Sequence, residues 1–147
     1  NSLWIATQAG VFMYSNIYSQ LMQMSDIGRK NFPEPVRNIV SIDSFDEEVY
    51  IASNIGIVRY KIEAREWDLL FSSGIYRNQN LFSMRVHENF IFLGLDNGLI
   101  KINKRTGSVS DYEFPFIGRV NDIIVNGKEI WLGTSNGLIK FLWKRHL

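Results

Sequence analysis

The chain has 147 residues, of which 46% are hydrophobic and 14% aromatic, with a formal net charge of +1. That is enough material for one domain with a sizeable core. Near-neutrality excludes the strong field that would draw the chain to nucleic acid or an anionic membrane. The absence of cysteine excludes a disulfide framework and a thiolate zinc centre, and no apolar run approaches the roughly 20 residues of a membrane helix.

In chain order, the first feature is a stretch that recurs. "LWIATQAGVFMYS" from Leu3 is followed by "VYIASNIGIVRYK" from Val49, "IFLGLDNGLIKIN" from Ile91 and "IWLGTSNGLIKFL" from Ile130. Each runs apolar, aromatic, apolar, small, three variable residues, glycine, then an alternating strand. The glycines are Gly10, Gly56, Gly98 and Gly137, spaced by 46, 42 and 39 residues. A period near 40 with short alternating strands is the signature of β-propeller blades with four antiparallel strands each, here named A to D from the expected inner edge.

The recurring stretch supplies strands B and C. Before it stand short apolar segments for strand A: "VRNIVSI" at Val36, "LFSMRV" at Leu81 and "VNDIIV" at Val120. Backward alignment sets Val40 with Met84 and Ile123, and Ile42 with Val86 and Val125, all expected to face a neighbouring blade. After it come the outer strands, in "YSQLMQM", "EWDLLF" and "VSDYEF". The turns "DSFDEE", "HEN" and "NGK" are polar hairpin connections, and all three prolines lie in the longer D–A connections, where no ladder donor is needed. No segment carries a convincing helical stripe. The expected fold is all-β, a single domain over 1–147 forming a partial propeller of about 3.5 to 4 blades. Its blades run 1–33 without an inner strand, 34–74, 78–116, and 117–147 without an outer strand. Both end faces should then expose apolar side chains, to be covered by the remaining blades of a longer propeller or by a second copy of the chain, unless four blades close alone.

Gly133-Thr134-Ser135-Asn136-Gly137 matches the G-x-S-x-G pattern of a serine hydrolase. The equivalent positions in the other repeats hold Gln8, Asn54 and Asp96, and a strand rather than a helix follows Gly137. Ser135 is therefore expected in a hairpin turn, with Asn97-Gly98 and Asn136-Gly137 as the turn-forming pairs. Trp4, Tyr50, Phe92 and Trp131 share one repeat position and are expected to pack between blades. Asp46, Glu47 and Glu48 form a solvated hairpin tip, and "WKRHL" at the end a turn. His87 and His146 show no metal-like spacing, so neither metal nor cofactor is expected.

The motifs "LWIAT", "IFLGLDNGLIKIN" and "IWLGTSNGLIKF" resemble the two-component regulator propeller repeat, whose core reads like "lWiGT-nGL-ry". The resemblance covers the chain as four units. It implies a non-catalytic, periplasmic ligand-sensing module of a bacterial hybrid two-component receptor, often tied to polysaccharide use, with the membrane helix and kinase elsewhere in the receptor. It brings no binding residues with it. Those are sought in the connections that propellers gather at one mouth of the channel. The D–A connections supply Arg29, Tyr76, Arg77, Asn78, Arg119 and Asn121, and Arg37 and Asn38 begin another inner strand. Arginine forks suit carboxylate or sulfate, asparagine suits hydroxyls, and tyrosine stacks on a sugar face. The expected ligand is a small molecule or oligosaccharide, without nucleic acid or direct membrane contact. Alternatives are a propeller-fold lyase or glycosidase, which needs acids or a histidine at the mouth, and an interaction scaffold.

Overall fold

A computed structural model describes residues 2–24 and 35–146, and the side chains as far as Lys144. It comprises four antiparallel sheets, each a meander in which consecutive strands pair. The first holds β1 (Ser2–Thr7), β2 (Gly10–Ser15) and β3 (Gln20–Gln23); the second β4 (Ser41–Phe45), β5 (Glu48–Ser53), β6 (Gly56–Lys61) and β7 (Glu66–Ser72). The third holds β8 (Ser83–His87), β9 (Phe90–Leu95), β10 (Gly98–Asn103) and β11 (Val109–Glu113); the fourth β12 (Val120–Asn126), β13 (Glu129–Thr134) and β14 (Gly137–Leu142). Two single-turn 3-10 segments, Ser73–Tyr76 and Trp143–His146, are the helical elements among the described residues. The chain divides into two compact units, Asn1–Arg77 and Asn78–Leu147, each holding two sheets.

Each unit is held by an apolar core between its two sheets. In the first, Val11 of β2 and Met24 meet Val49, Ile51, Val58, Tyr60 and Trp67, with Trp4, Met13 and Met22 packed alongside. In the second, Phe92 and Leu99 meet Val120, Ile123, Ile130, Leu132 and Trp143. The period-2 alternation of β5 and β13 accounts for this. Val49 and Ile51, like Ile130 and Leu132, turn one way, while Tyr50 and Trp131 turn the other. Trp4 and Phe92 do pack between sheets as expected.

The A strands of the second unit lie side by side. Ser83 Oγ donates to the Val120 carbonyl at 2.7 Å, and Arg85 Nε donates to the Ile123 carbonyl at 2.8 Å. A Cβ on Gly94 would stand 2.6 Å from the Val120 carbonyl oxygen. This close approach explains the small residue that ends the "LWIA/IFLG" motif here.

The A-strand alignment needs correction. Ile42 pairs with Ile51 as Met84 pairs with Leu93 and Ile123 with Leu132, so Ile42, rather than Val40, is the counterpart of Met84 and Ile123. Val40 is 44% exposed. The cause is the A–B turn, which takes two residues instead of six: Asp46 and Glu47 both adopt positive φ (51° and 61°), the geometry of a tight hairpin. Glu48 is not part of a solvated tip. It is half-buried on β5, accepts a short hydrogen bond from the Tyr50 hydroxyl and lies 3.8 Å from Arg59, which also pairs with Asp68.

"WKR" at 143–145 is a 3-10 turn instead of a hairpin turn, and Trp143 is fully buried. The expected exposed apolar faces are present: Leu3 (59%) and Leu21 (57%) on the first sheet, Ile124 (56%) and Leu138 (67%) on the fourth.

Candidate functional site

The B–C hairpins and D–A connections meet at one end of each unit, and the hairpin positions that imitate a nucleophile elbow form the joint. In three repeats a hydroxyl closes the hairpin: Thr7 Oγ1 donates to the Gly10 carbonyl (2.9 Å), Ser53 Oγ to that of Gly56 (2.9 Å), and Thr134 Oγ1 to that of Gly137 (2.7 Å). The two-residue turns are Gln8–Ala9, Asn54–Ile55, Asp96–Asn97 and Ser135–Asn136, so each repeat glycine opens strand C instead of sitting inside the turn. This corrects the Asn-Gly turn expectation. Gly10, Gly56 and Gly137 stand at φ 136°, 130° and 136°, a region in which L side chains are strained. The third repeat has Leu95 in place of the hydroxyl, its glycine takes no such φ, and Asn97 supplies the left-handed residue at φ 51°.

The turn residues then grip the passing connection. Asn54 accepts from the Arg37 amide through Oδ1 (2.8 Å), donates its own amide to the Arg37 carbonyl (3.0 Å), and donates Nδ2 to the Pro35 carbonyl (3.2 Å). The Gln8 carbonyl accepts from the Asn38 amide on the other side. In the second unit, Asn97 Oδ1 accepts from the Gly118 amide (2.8 Å), Ser135 Oγ from the Arg119 amide (2.9 Å), and Asn136 Nδ2 donates to the Phe116 carbonyl (2.8 Å). Ser135 is a structural acceptor. The side chains Asn54, Asn97 and Ser135 satisfy loop amides that would otherwise lack partners.

These clamps set where the expected site residues stand. In the first unit, Arg37 and Asn38 are exposed beside the Asn54 turn, with Asn38 at φ 50°. The Tyr76 hydroxyl donates to the Ser53 carbonyl (3.0 Å), which places its half-buried ring against the same hairpin. Arg77 is an exposed left-handed residue (φ 54°) that caps the 3-10 turn through its amide on Gly74. Asn78 follows at φ 57°, also exposed. In the second unit, Arg119 is exposed, forms an isolated antiparallel backbone β-bridge with Asp96, and holds its guanidinium 5.8 Å over the Phe82 ring. Asn121 is the extra residue where the β12–β13 register shifts, and this bulge leaves it exposed. Arg29 lies outside the described residues.

Beside Arg119, a cleft of ≈ 310 Å³ runs between the third B–C hairpin and β11, lined by Asp96, Asn97, Asp111, Tyr112, Glu113 and Gln79 among others. These acids were expected only as turn and outer-strand residues. Their grouping follows from the Gly98–Glu113 register, which no local pattern announces. No trio of His, Asp and Glu among the described residues is arranged to hold a metal.

Burial raises the pKa of the Tyr76 phenol, and the hydrogen bond to Ser53 opposes this more weakly; burial and then Glu48 raise that of Tyr50. A phenol whose folded pKa lies above its unfolded value of about 10 stabilises the fold below that pH and loses this contribution as pH climbs beyond it. Unfolding followed from pH 8 to 11 should therefore show stability falling above about pH 10, with a shallower fall in Tyr76→Phe. An unchanged slope in that variant would remove Tyr76 as a source.

This repeated-meander architecture has counterparts in fold among solved structures. The chain superposes on two structures of the extracellular domain of BT4673 from B. thetaiotaomicron, described as a one-component system in one and as a hybrid two-component system in the other. The TM-scores are 0.70 and 0.72, with 14% identity, over 95% and 96% of this chain. It spans 18% and 19% of those chains, less than a fifth of their length. It is also similar to the computationally designed Ika4 protein, with TM-score 0.67 and 10% identity over 97% of this chain and 85% of that one. No protein-family model and no curated protein matches the chain.

Proposed function

We propose that the chain is part of the ligand-sensing β-propeller of a periplasmic, membrane-anchored bacterial two-component receptor, non-catalytic and responsive to carbohydrate. The observation that carries this reading is the likeness of nearly the whole chain to the extracellular domain of BT4673. The exposed Arg119 on its clamped loop, and the acidic cleft beside it, supply the chemistry. Three carboxylates in the cleft disfavour an anion there, whereas Asp96, Asp111, Asn97 and Gln79 suit the donor and acceptor hydroxyls of a neutral sugar, with Tyr112 as a wall. Signalling then requires the sugar to favour one arrangement of the receptor over another. The serine that imitates a nucleophile is occupied with the Arg119 amide, which argues against acyl-transfer chemistry at this hairpin.

The test is thermal unfolding of the chain across a panel of neutral and acidic oligosaccharides. A neutral oligosaccharide should raise the midpoint, and Arg119→Glu should abolish the rise while leaving the ligand-free midpoint within a few degrees, since this side chain is exposed. An undiminished rise in the variant would remove Arg119 from the site.

A further inference from the structure

The two units treat one equivalent place in opposite ways. In the second unit, Lys101 on β10 is only 5% exposed, and its ammonium faces three rings: Phe90 at 5.3 Å, Tyr112 at 5.8 Å and Trp143 at 6.0 Å. Trp143 completes this packing edge-on to Phe90 (5.2 Å) and Phe92 (5.3 Å), with its indole Nε1 donating to the Gly127 carbonyl (3.1 Å). The strand registers identify the same positions in the first unit. Counting from the repeat glycines, Phe90 corresponds to Ser2, Lys101 to Met13 and Trp143 to Ile62; Tyr112, opposite Leu99, corresponds to Met24, whose amide donates to Val11.

Every ring of the cage is thus replaced by a side chain with no ring, and all four replacements line an open groove of ≈ 860 Å³ between the first two sheets. The groove is walled by Trp4, Tyr18 and Tyr60 and floored by Met13, Met22 and Met24. Ser15 and Ser44 offer hydroxyls, and Glu47 and Arg65 stand at its rim. Trp4 and Tyr60 are already set ring to ring at 5.3 Å. Methionines adapt to ring edges, and the volume lies within the range of small-molecule sites.

We propose that this groove binds a planar aromatic molecule of indole size or larger. The chain itself shows which group fills the equivalent space, a fully buried indole that donates to an A–B turn carbonyl. Asp46, the counterpart of Gly127, has the same left-handed φ (51° against 59°), so a turn carbonyl is presented in kind. The groove opens at the A–B and C–D turns, the end of the strands opposite the B–C hairpins, and is independent of the sugar reading above.

Indole is the probe. Saturation-transfer NMR and thermal unfolding of the chain with millimolar indole should show binding and a raised midpoint. Ile62→Trp, which rebuilds the Trp143 equivalent, should raise the ligand-free midpoint and weaken indole at least tenfold. Met24→Tyr, which rebuilds the Tyr112 equivalent on the groove floor, should also weaken it, so a misfolded Ile62→Trp does not decide the matter. Absence of indole binding to the wild type, or equal binding by a folded filled variant, overturns the proposal. So does sedimentation showing that the groove is filled by a second copy, with dimers abolished by Ile62→Trp.

Discussion

Trp143→Ala should be the most damaging substitution in the second unit, lowering unfolding free energy by about 3–5 kcal/mol. The side chain is fully buried against Phe90 and Phe92, and its indole N–H is satisfied by Gly127. Removing it leaves a ring-sized cavity, an unpaired Gly127 carbonyl, and Lys101 with one ring fewer beside an ammonium already out of water. Trp143→Phe should recover part of the loss, because the edge-on contacts survive and the hydrogen bond does not. Urea titration followed by far-ultraviolet circular dichroism measures both. A loss below about 1 kcal/mol for the alanine variant would show that this turn contributes little to the core.

Gly56→Ala should be comparably severe, and the contrast with Gly137→Ala isolates the reason. Both glycines open a strand C at φ 130° and 136°, so an added methyl strains the backbone alike in each, at a cost of about 1–3 kcal/mol. At Gly56 the methyl would also stand 2.0 Å from the Phe71 carbonyl oxygen and 2.7 Å from the Ser72 carbonyl carbon, whereas at Gly137 nothing lies within 4 Å. The Phe71 and Ser72 contacts are backbone, and the β6–β7 register already shifts between Ile57 and Val58, so relief would require breaking ladder hydrogen bonds. Gly137→Ala should therefore remain folded with a modestly lowered midpoint, while Gly56→Ala should unfold at much lower urea or fail to accumulate. Equal effects would mean that φ strain alone governs the motif glycine.

The repeat period and the alternation of "VYIAS", "IFLGL" and "IWLGT" were enough to place four sheets, to assign B and C strands, and to see that Ser135 occupies a turn. Such signals are local, because a strand's face pattern has period 2 and a hairpin turn must have turn residues. The error at Val40 and Ile42 came from the same source. "DSFDEE" is polar at every position but Phe45, and β4 continues through that residue because Asp46 and Glu47 accept positive φ, a conformation no composition reveals. The candidate arginines and asparagines were found as loop residues. The clamps that hold their backbones, from Asn54, Asn97 and Ser135, bond residues 16 to 21 positions apart and became visible only in the folded chain.

The amino-acid order by itself determined the unit of construction: an aromatic-led hairpin with a glycine at a fixed place, repeated about every forty residues. Alternation and turn chemistry act between neighbours along the chain. The tertiary structure decided what each copy does with its interior. Lys101 is enclosed by rings contributed by β9, β11 and the segment after β14, whereas Met13 lies beside an open groove, because whether a space between sheets is filled depends on side chains brought together from distant strands.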